Sequence, residues 1–305
     1  MNNNLVNSSS CQYIELVNIH SLNDTISNYF HFLYGFIFPL ILFDSNISKN
    51  KKIIYIIDHI LEPHTKLLLS LSINIKFKRY IDNYKKLKVQ KITLKPMDIG
   101  ELPKYKNNYL SLKQGKADVM TLCKKMQICS WFNKKIQNMI FCANENSRPI
   151  DVIFVKRSVD NSYSSINWNN QNENDRNKKH GSQRRNILNH DELFLSLKKY
   201  FKGLNVVSVP FEALHIFYQF KLLSNCKILI AQHGAVLGNI AFMKKNSVVI
   251  EIIQQKYIDN HENWFLSYGK KFKLKHYQFI TSDENDLFNV NVQQFIKFIK
   301  QQNVT

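Results

Sequence analysis

Arginine is scarce in this chain. Only six of its 42 basic residues are Arg, at positions 79, 148, 157, 176, 184 and 185. Glycine is scarce too, eight in 305 residues, and none of the eight builds a Gly-x-Gly-x-x-Gly loop or a Gly-Lys-Ser/Thr phosphate loop. Both common glycine-rich nucleotide motifs are therefore excluded. The five cysteines (11, 123, 129, 142 and 226) are odd in number and show no Cys-x-x-Cys spacing. A disulfide framework and a zinc site are excluded with them, and buried free thiols are expected. Long apolar runs are missing as well. The longest candidate, YFHFLYGFIFPLILF at 29–43, contains His31 and Pro39 and falls short of the roughly 20 residues that span a bilayer. It reads as a buried helix, and no integral membrane segment is expected. The N-terminal MNNNLVNSSSCQYIEL has no charged region followed by an apolar one, so no signal peptide is expected and a cytoplasmic location follows.

What is abundant is lysine, with asparagine and isoleucine, and the net charge is +19. A coding bias toward Lys, Asn and Ile accounts for this. The competing explanation is a polyanionic partner, with steep salt dependence if the partner is nucleic acid. The lysines are spread along the chain and no nucleic-acid-binding motif accompanies them, so no nucleic-acid partner is expected. In a chain that avoids arginine, each Arg is more plausibly present for its planar fork, which binds phosphate or carboxylate through two parallel hydrogen bonds.

Two domains fit the length. Residues 1–147 read as an α/β domain, with KKIIYIIDHI a buried strand ending at Asp58, HTKLLLSLS helical, KLKVQKITLKP a strand and 108–142 helical. Beyond ANENSRP the pattern becomes regular over 148–270: strand IDVIFVKR, helix HDELFLSLKKYF, strand LNVVSV, helix EALHIFYQFKLLS, strand CKILIAQ, short helix AVLGNIAFMK and strand SVVIEII. Continuously apolar strands alternating with helices predict a parallel sheet covered on both faces. The Asn-rich stretch 158–183 reads as a mobile surface insertion. Residues 271–305 supply a last strand, KLKHYQFI, and a helix, VNVQQFIKFIKQQ, expected to reach back toward the first domain.

In such sheets ligands sit at the carboxyl ends of the strands. Arg157 ends one strand, Gln232-His233-Gly234-Ala235 ends another where a helix begins, and Glu251 ends the next. A strand, a tight glycine turn and a helix N-terminus form an anion site, phosphate above all. A structural histidine is the plainer explanation of His233 alone. Arg157, Arg184 or Arg185, His233, Gly234, Ala235 and Asn239 together describe a diphosphate site, and Glu251 a carboxylate for ribose hydroxyls. Asn189 is placed to cap the helix that follows Arg184-Arg185.

The blocks VKR, RRNILNHDEL and LLSNCKILIAQHGAVLGNIAFMKKNSVVIEI, with NYFHFLYGFIFPLI upstream, resemble glycosyltransferase family 61. Val236 stands where that family usually has Gly, Gly238 where it has Thr or Ser, and His190 where it has an acidic residue. The resemblance implies a GT-B fold, two Rossmann-like domains facing across a cleft, and an inverting glycosyltransferase. The donor would be a nucleotide sugar, mostly UDP-linked, acting as co-substrate with no other cofactor. The acceptor would be a hydroxyl of a glycan or protein. No Asp-x-Asp motif is present, which fits leaving-group stabilisation by Arg157, Arg184 or Arg185 and His233 without a metal. His31 is the candidate general base and Asp58 the second choice. A catalytically degenerate nucleotide-sugar-binding protein is the alternative.

Overall fold

The computed structural model describes residues 11–18, 40, 52–57, 75–77, 81, 83–94, 149–157, 185–214, 216–259, 264–283 and 285–304. His31, Asp58, Arg184, the insertion 158–183 and the helix expected over 108–142 lie outside the described residues, as does the expected domain junction at 147–148. The chain divides into two compact units, Met1–Met126 and Gln127–Thr305.

The first unit contains a parallel sheet of β1 (Cys11–Asn18), β2 (Lys52–Ile57), β3 (Ile75–Phe77) and β4 (Val89–Leu94), in the order β3-β2-β1-β4. Ile53 through Ile57 are all buried. A run buried at consecutive positions is covered on both faces, as parallel sheets require. Strands β2 and β4 were legible in the sequence. β1 was not, because its CQYIELVN mixes polar and apolar residues and places Glu15 in a buried position.

The second unit is built on five parallel strands in the order β10-β9-β8-β5-β7. They are β5 (Val152–Lys156), β7 (Val206–Pro210), β8 (Ile228–Gln232), β9 (Val248–Gln254) and β10 (Lys275–Thr281). A separate two-strand pair joins β6 (Asn186–Ile187) to β11 (Leu287–Phe288). The helices are α1 (His190–Tyr200), α2 (Ile216–Asn225), α3 (Gln255–Asp259), α4 (Trp264–Lys271) and α5 (Val292–Gln301). Asp191 and Glu192 in the first turn of α1, and Lys198 and Lys199 in its last, complement the helix dipole. α5 is capped by Asn291, whose side chain accepts from the Gln294 N–H at 3.0 Å.

On one face of the sheet, Phe154, Ile230, Ile252 and Phe279 share a core with Leu193 and Leu197 of α1 and Phe295 and Ile299 of α5. The last strand and helix therefore belong to the second unit. Phe295 and Ile299 of α5 are fully buried in this core, since their apolar stripe is what completes that layer. On the other face lie α2, α4 and the segment Ala235–Phe242, with Phe220 stacked on Phe242 at 3.7 Å between ring centroids.

Ala235–Phe242 is a 3-10 helix, where a short α-helix was expected. Packing explains the difference. Leu237–Phe242 are all buried, so packing on every side stabilises the tighter turn.

Candidate functional site

The strand order of the second unit creates its binding corner. The chain leaves β5 first for β7 on one side, and later fills β8, β9 and β10 on the other. At such a switch point the connections depart in opposite directions and leave a crevice at the carboxyl ends of the two central strands. Arg157 follows β5 directly, and His233-Gly234 follow β8. A Cβ placed on Gly234 would lie 2.6 Å from Nη2 of Arg157. The guanidinium rests against the glycine Cα, an approach open only to a residue without a side chain. Two of the residues singled out by sequence, 77 positions apart, are thus in contact.

His233 is buried. Its backbone N–H donates to the Ile252 carbonyl at 2.9 Å, which extends the β8–β9 ladder by one residue. Its ring stacks on Tyr257 (centroids 5.3 Å apart, 20° between planes) and meets Phe265 edge-on. Nδ1 lies 2.5 Å from Oε1 of Glu251.

Glu251 is not at a strand end, as the sequence suggested. β9 continues to Gln254, and Glu251 is paired in register with Ala231 of β8 and Gln278 of β10. Its side chain is fully buried. The second oxygen, Oε2, accepts from His276 Nε2 at 3.1 Å and from Gln278 Nε2 at 3.0 Å. Both oxygens are therefore engaged by the protein, and the expected contact with ribose hydroxyls is not what this geometry provides. Burial alone raises the carboxyl pKa. The hydrogen bonds from His233 and His276 outweigh it and bring the value down to about 2. Glu251 is an ionised group in a dry layer, and each ring nitrogen facing it must donate.

His276 comes at a cost to the fold. Its side chain is fully buried and its Nδ1 has no hydrogen-bond partner, worth about 1–3 kcal/mol of desolvation. It also demands Gly269 in α4, where a Cβ would lie 2.5 Å from Nδ1 and 2.7 Å from the His276 Cβ. Glycine inside a helix costs roughly another 1 kcal/mol.

Arg185 reaches the same cluster from the other side. Its Cζ lies 4.9 Å from the centroid of Tyr257, the ring that stacks on His233. Lys256 Nζ is 5.4 Å from the same ring. The backbone of Arg185 is left-handed, with φ 54°, an uncommon conformation for a residue with a side chain. Arg157, Arg185, His233 and Gly234 are thus linked, directly or through Tyr257, into one basic corner.

Other expected members stand elsewhere. Asn239 is fully buried and donates to Oε1 of Gln219 on α2 at 2.9 Å. It fastens the 3-10 helix to α2. Ala235 is half-buried at the start of that helix. Asn189 occupies the N-cap position of α1, yet its side chain makes no capping bond. It clasps the Val290 backbone instead, donating to the carbonyl at 2.9 Å and accepting from the N–H at 3.0 Å. His190 stacks on Phe154 at 4.1 Å, and burial lowers its pKa. Asp191, beside it, is paired with Lys156 at 3.0 Å, so the mouth of α1 carries its own anion. Tyr257, Phe265, Gly269, His276 and Gln278 were not singled out from sequence. Their one visible signal is the alternation His276-Tyr277-Gln278, which puts two polar side chains on the same face of a strand.

The fold and the corner define a parallel α/β protein with its basic side chains gathered at the switch point of its second sheet. Residues 29–250, well over half of the chain, match the family Glycosyltransferase 61. The chain belongs to glycosyltransferase family 61, and glycosyltransferase is its class of activity. No curated protein matches it. Among solved structures, the metal-soaked Flv1 flavodiiron core from Synechocystis sp. PCC6803 is similar at 11% identity and a TM-score of 0.30, over 88% of this chain and 83% of that one. Likeness at that level carries no argument. Among the described residues no helix is long and apolar enough to cross a membrane.

Proposed function

We propose that the protein transfers a sugar from a UDP-linked donor to a hydroxyl of a glycan or protein, with inversion and without a metal ion, and that the donor diphosphate is received at the Arg157–His233–Gly234 corner. The observation that carries this is the contact of the Arg157 guanidinium with the Gly234 turn at the switch point of the sheet. As the bond between the anomeric carbon and the phosphate oxygen breaks, its electron pair moves onto the diphosphate. Fixed positive donors at that place lower the barrier. Arg157 and Arg185 carry permanent charge, and a guanidinium binds phosphate oxygens in pairs. The acceptor hydroxyl attacks from the opposite side of the sugar and gives its proton to a base, for which His31 and then Asp58 are the candidates. Each unit contains a parallel sheet of its own, as the two halves of a GT-B enzyme do, and family membership supports that arrangement.

A thermal-shift panel of nucleoside diphosphates and their sugar conjugates tests this. UDP and UDP-sugars at 100 times Kd stabilise by about 2.7 kcal/mol, and Arg157→Ala reduces this to about 0.3–1.4 kcal/mol at the same concentration. A panel in which no nucleotide raises the melting temperature refutes the proposal.

A further inference from the structure

We propose that Glu251 is a positioning residue, and that with His276 and Gln278 it fixes His233 as the tautomer with hydrogen on Nδ1. This deepens the proposed function, since it rests on the corner being the seat of the donor diphosphate. Three separate features converge on it. First, the carboxylate has no solvent face and both of its oxygens are taken by side chains of the second unit. A buried carboxylate of this kind can only accept, so the hydrogen between it and His233 belongs to Nδ1. Second, the ring plane is set independently by Tyr257 on its face and Phe265 at its edge. Third, the fold keeps a histidine at 276 although its Nδ1 is without a partner and a neighbouring helix must carry Gly269 to admit it. An apolar residue at 276 would remove both conflicts. What it would not supply is the donor to Glu251 Oε2.

The consequence concerns a single atom. With Nδ1 committed to Glu251, any hydrogen bond or proton that His233 exchanges with a ligand passes through Nε2. The row His233–Glu251–His276 then does for a histidine at a phosphate turn what a buried carboxylate does for the histidine of a hydrolytic triad. It holds the correct tautomer and direction without touching the substrate. Glu251, in this role, contacts neither ribose nor base.

Nitrogen spectra of the histidine rings, with His233→Gln and His276→Gln used for assignment, test the tautomer directly in the full-length protein. The expected pattern is a protonated Nδ1 on His233 and a protonated Nε2 on His276. A protonated Nε2 and bare Nδ1 on His233 in the wild-type protein overturns the proposal, whatever the variants do. Glu251→Gln is expected to scramble the His233 pattern and to lower kcat on the order of 10²-fold. Its donor KM should move less than about threefold, and Glu251→Asp should recover part of the loss. If Glu251→Gln lowers kcat only in proportion to a loss of folded protein, with the tautomer intact, Glu251 is structural and the proposal fails. A wild-type enzyme that shows the expected ring pattern but neither binds nor turns over any nucleotide sugar refutes the function assigned to the corner and leaves the tautomer assignment standing.

Discussion

Gly234→Ala is the most informative perturbation of the corner. The new methyl would meet Nη2 of Arg157 at 2.6 Å, whereas carbon and nitrogen rest at about 3.5 Å or more. The guanidinium must retreat by about 1 Å. It is the far end of a flexible side chain, so it moves before the sheet does. The backbone at φ 159° adds about 1–3 kcal/mol of strain to the fold, which chemical denaturation reads separately from the loss in binding. Removing Arg157 altogether forfeits charge-assisted bonds worth about 1.5–3 kcal/mol, a factor of roughly 10–150 in affinity. Displacing it by 1 Å forfeits a large part of the same sum, on the order of tenfold or more. The decisive measurement is a double-mutant cycle by titration calorimetry with UDP over Gly234→Ala, Arg157→Ala and the pair. Because the glycine acts through the arginine, the double variant should bind as Arg157→Ala does, within about 0.5 kcal/mol. Additive losses would refute the claim that the glycine serves the arginine.

Three further outcomes follow from the same geometry. Gly269→Ala improves helix propensity yet drives a methyl to 2.7 Å from the His276 Cβ. It should destabilise by about 1–3 kcal/mol in chemical denaturation, and unchanged stability would remove the packing explanation for that glycine. Glu251 titrates at about 2 in the folded protein against an ordinary 4.5. A lowered carboxylate stabilises the fold fully above its unfolded value and loses that stabilisation as pH falls. Roughly 3 kcal/mol should therefore disappear between about pH 5 and pH 2, and Glu251→Gln should flatten this part of the stability profile. Arg185→Gly keeps the left-handed backbone of φ 54° and deletes only the side chain over Tyr257. It should weaken UDP binding about tenfold or more with little change in melting temperature, and unaltered affinity would take Arg185 out of the site.

The sheet of the second unit was legible because its strands are continuous apolar runs, a pattern set by burial on both faces. Arg157 was legible because scarcity made it conspicuous, and its place after β5 needed only the strand boundary. The neighbourhood of Glu251 was not. A carboxylate after three apolar residues looks like a strand end unless its partners are known, and those partners are 18 and 25 positions away in the chain. The 3-10 form of Ala235–Phe242 goes with its packing against α2 and α4, which composition does not record. Asn189 looked like a helix cap because asparagine favours that position. Its clasp on Val290 lies across 101 residues, beyond the reach of any local pattern. The pairing of β6 with β11 was hidden for the same reason, since two-residue strands have no periodicity to read.

That long-range clasp orders events during synthesis. The segment beginning at Arg185 gains its backbone partners from Asp286, Phe288 and Val290, which accept from or donate to Asn186, Leu188 and Asn189. A ribosome adding about 5–20 residues each second reaches that stretch some 5–20 s after it has made Arg185. Until then α1 lacks both its clasp and α5, its neighbour in the core. The segment that carries Arg185 is consequently anchored only once residues 286–290 have been made, and a chain cut short before residue 285 would carry Arg185 without the partners that hold its segment.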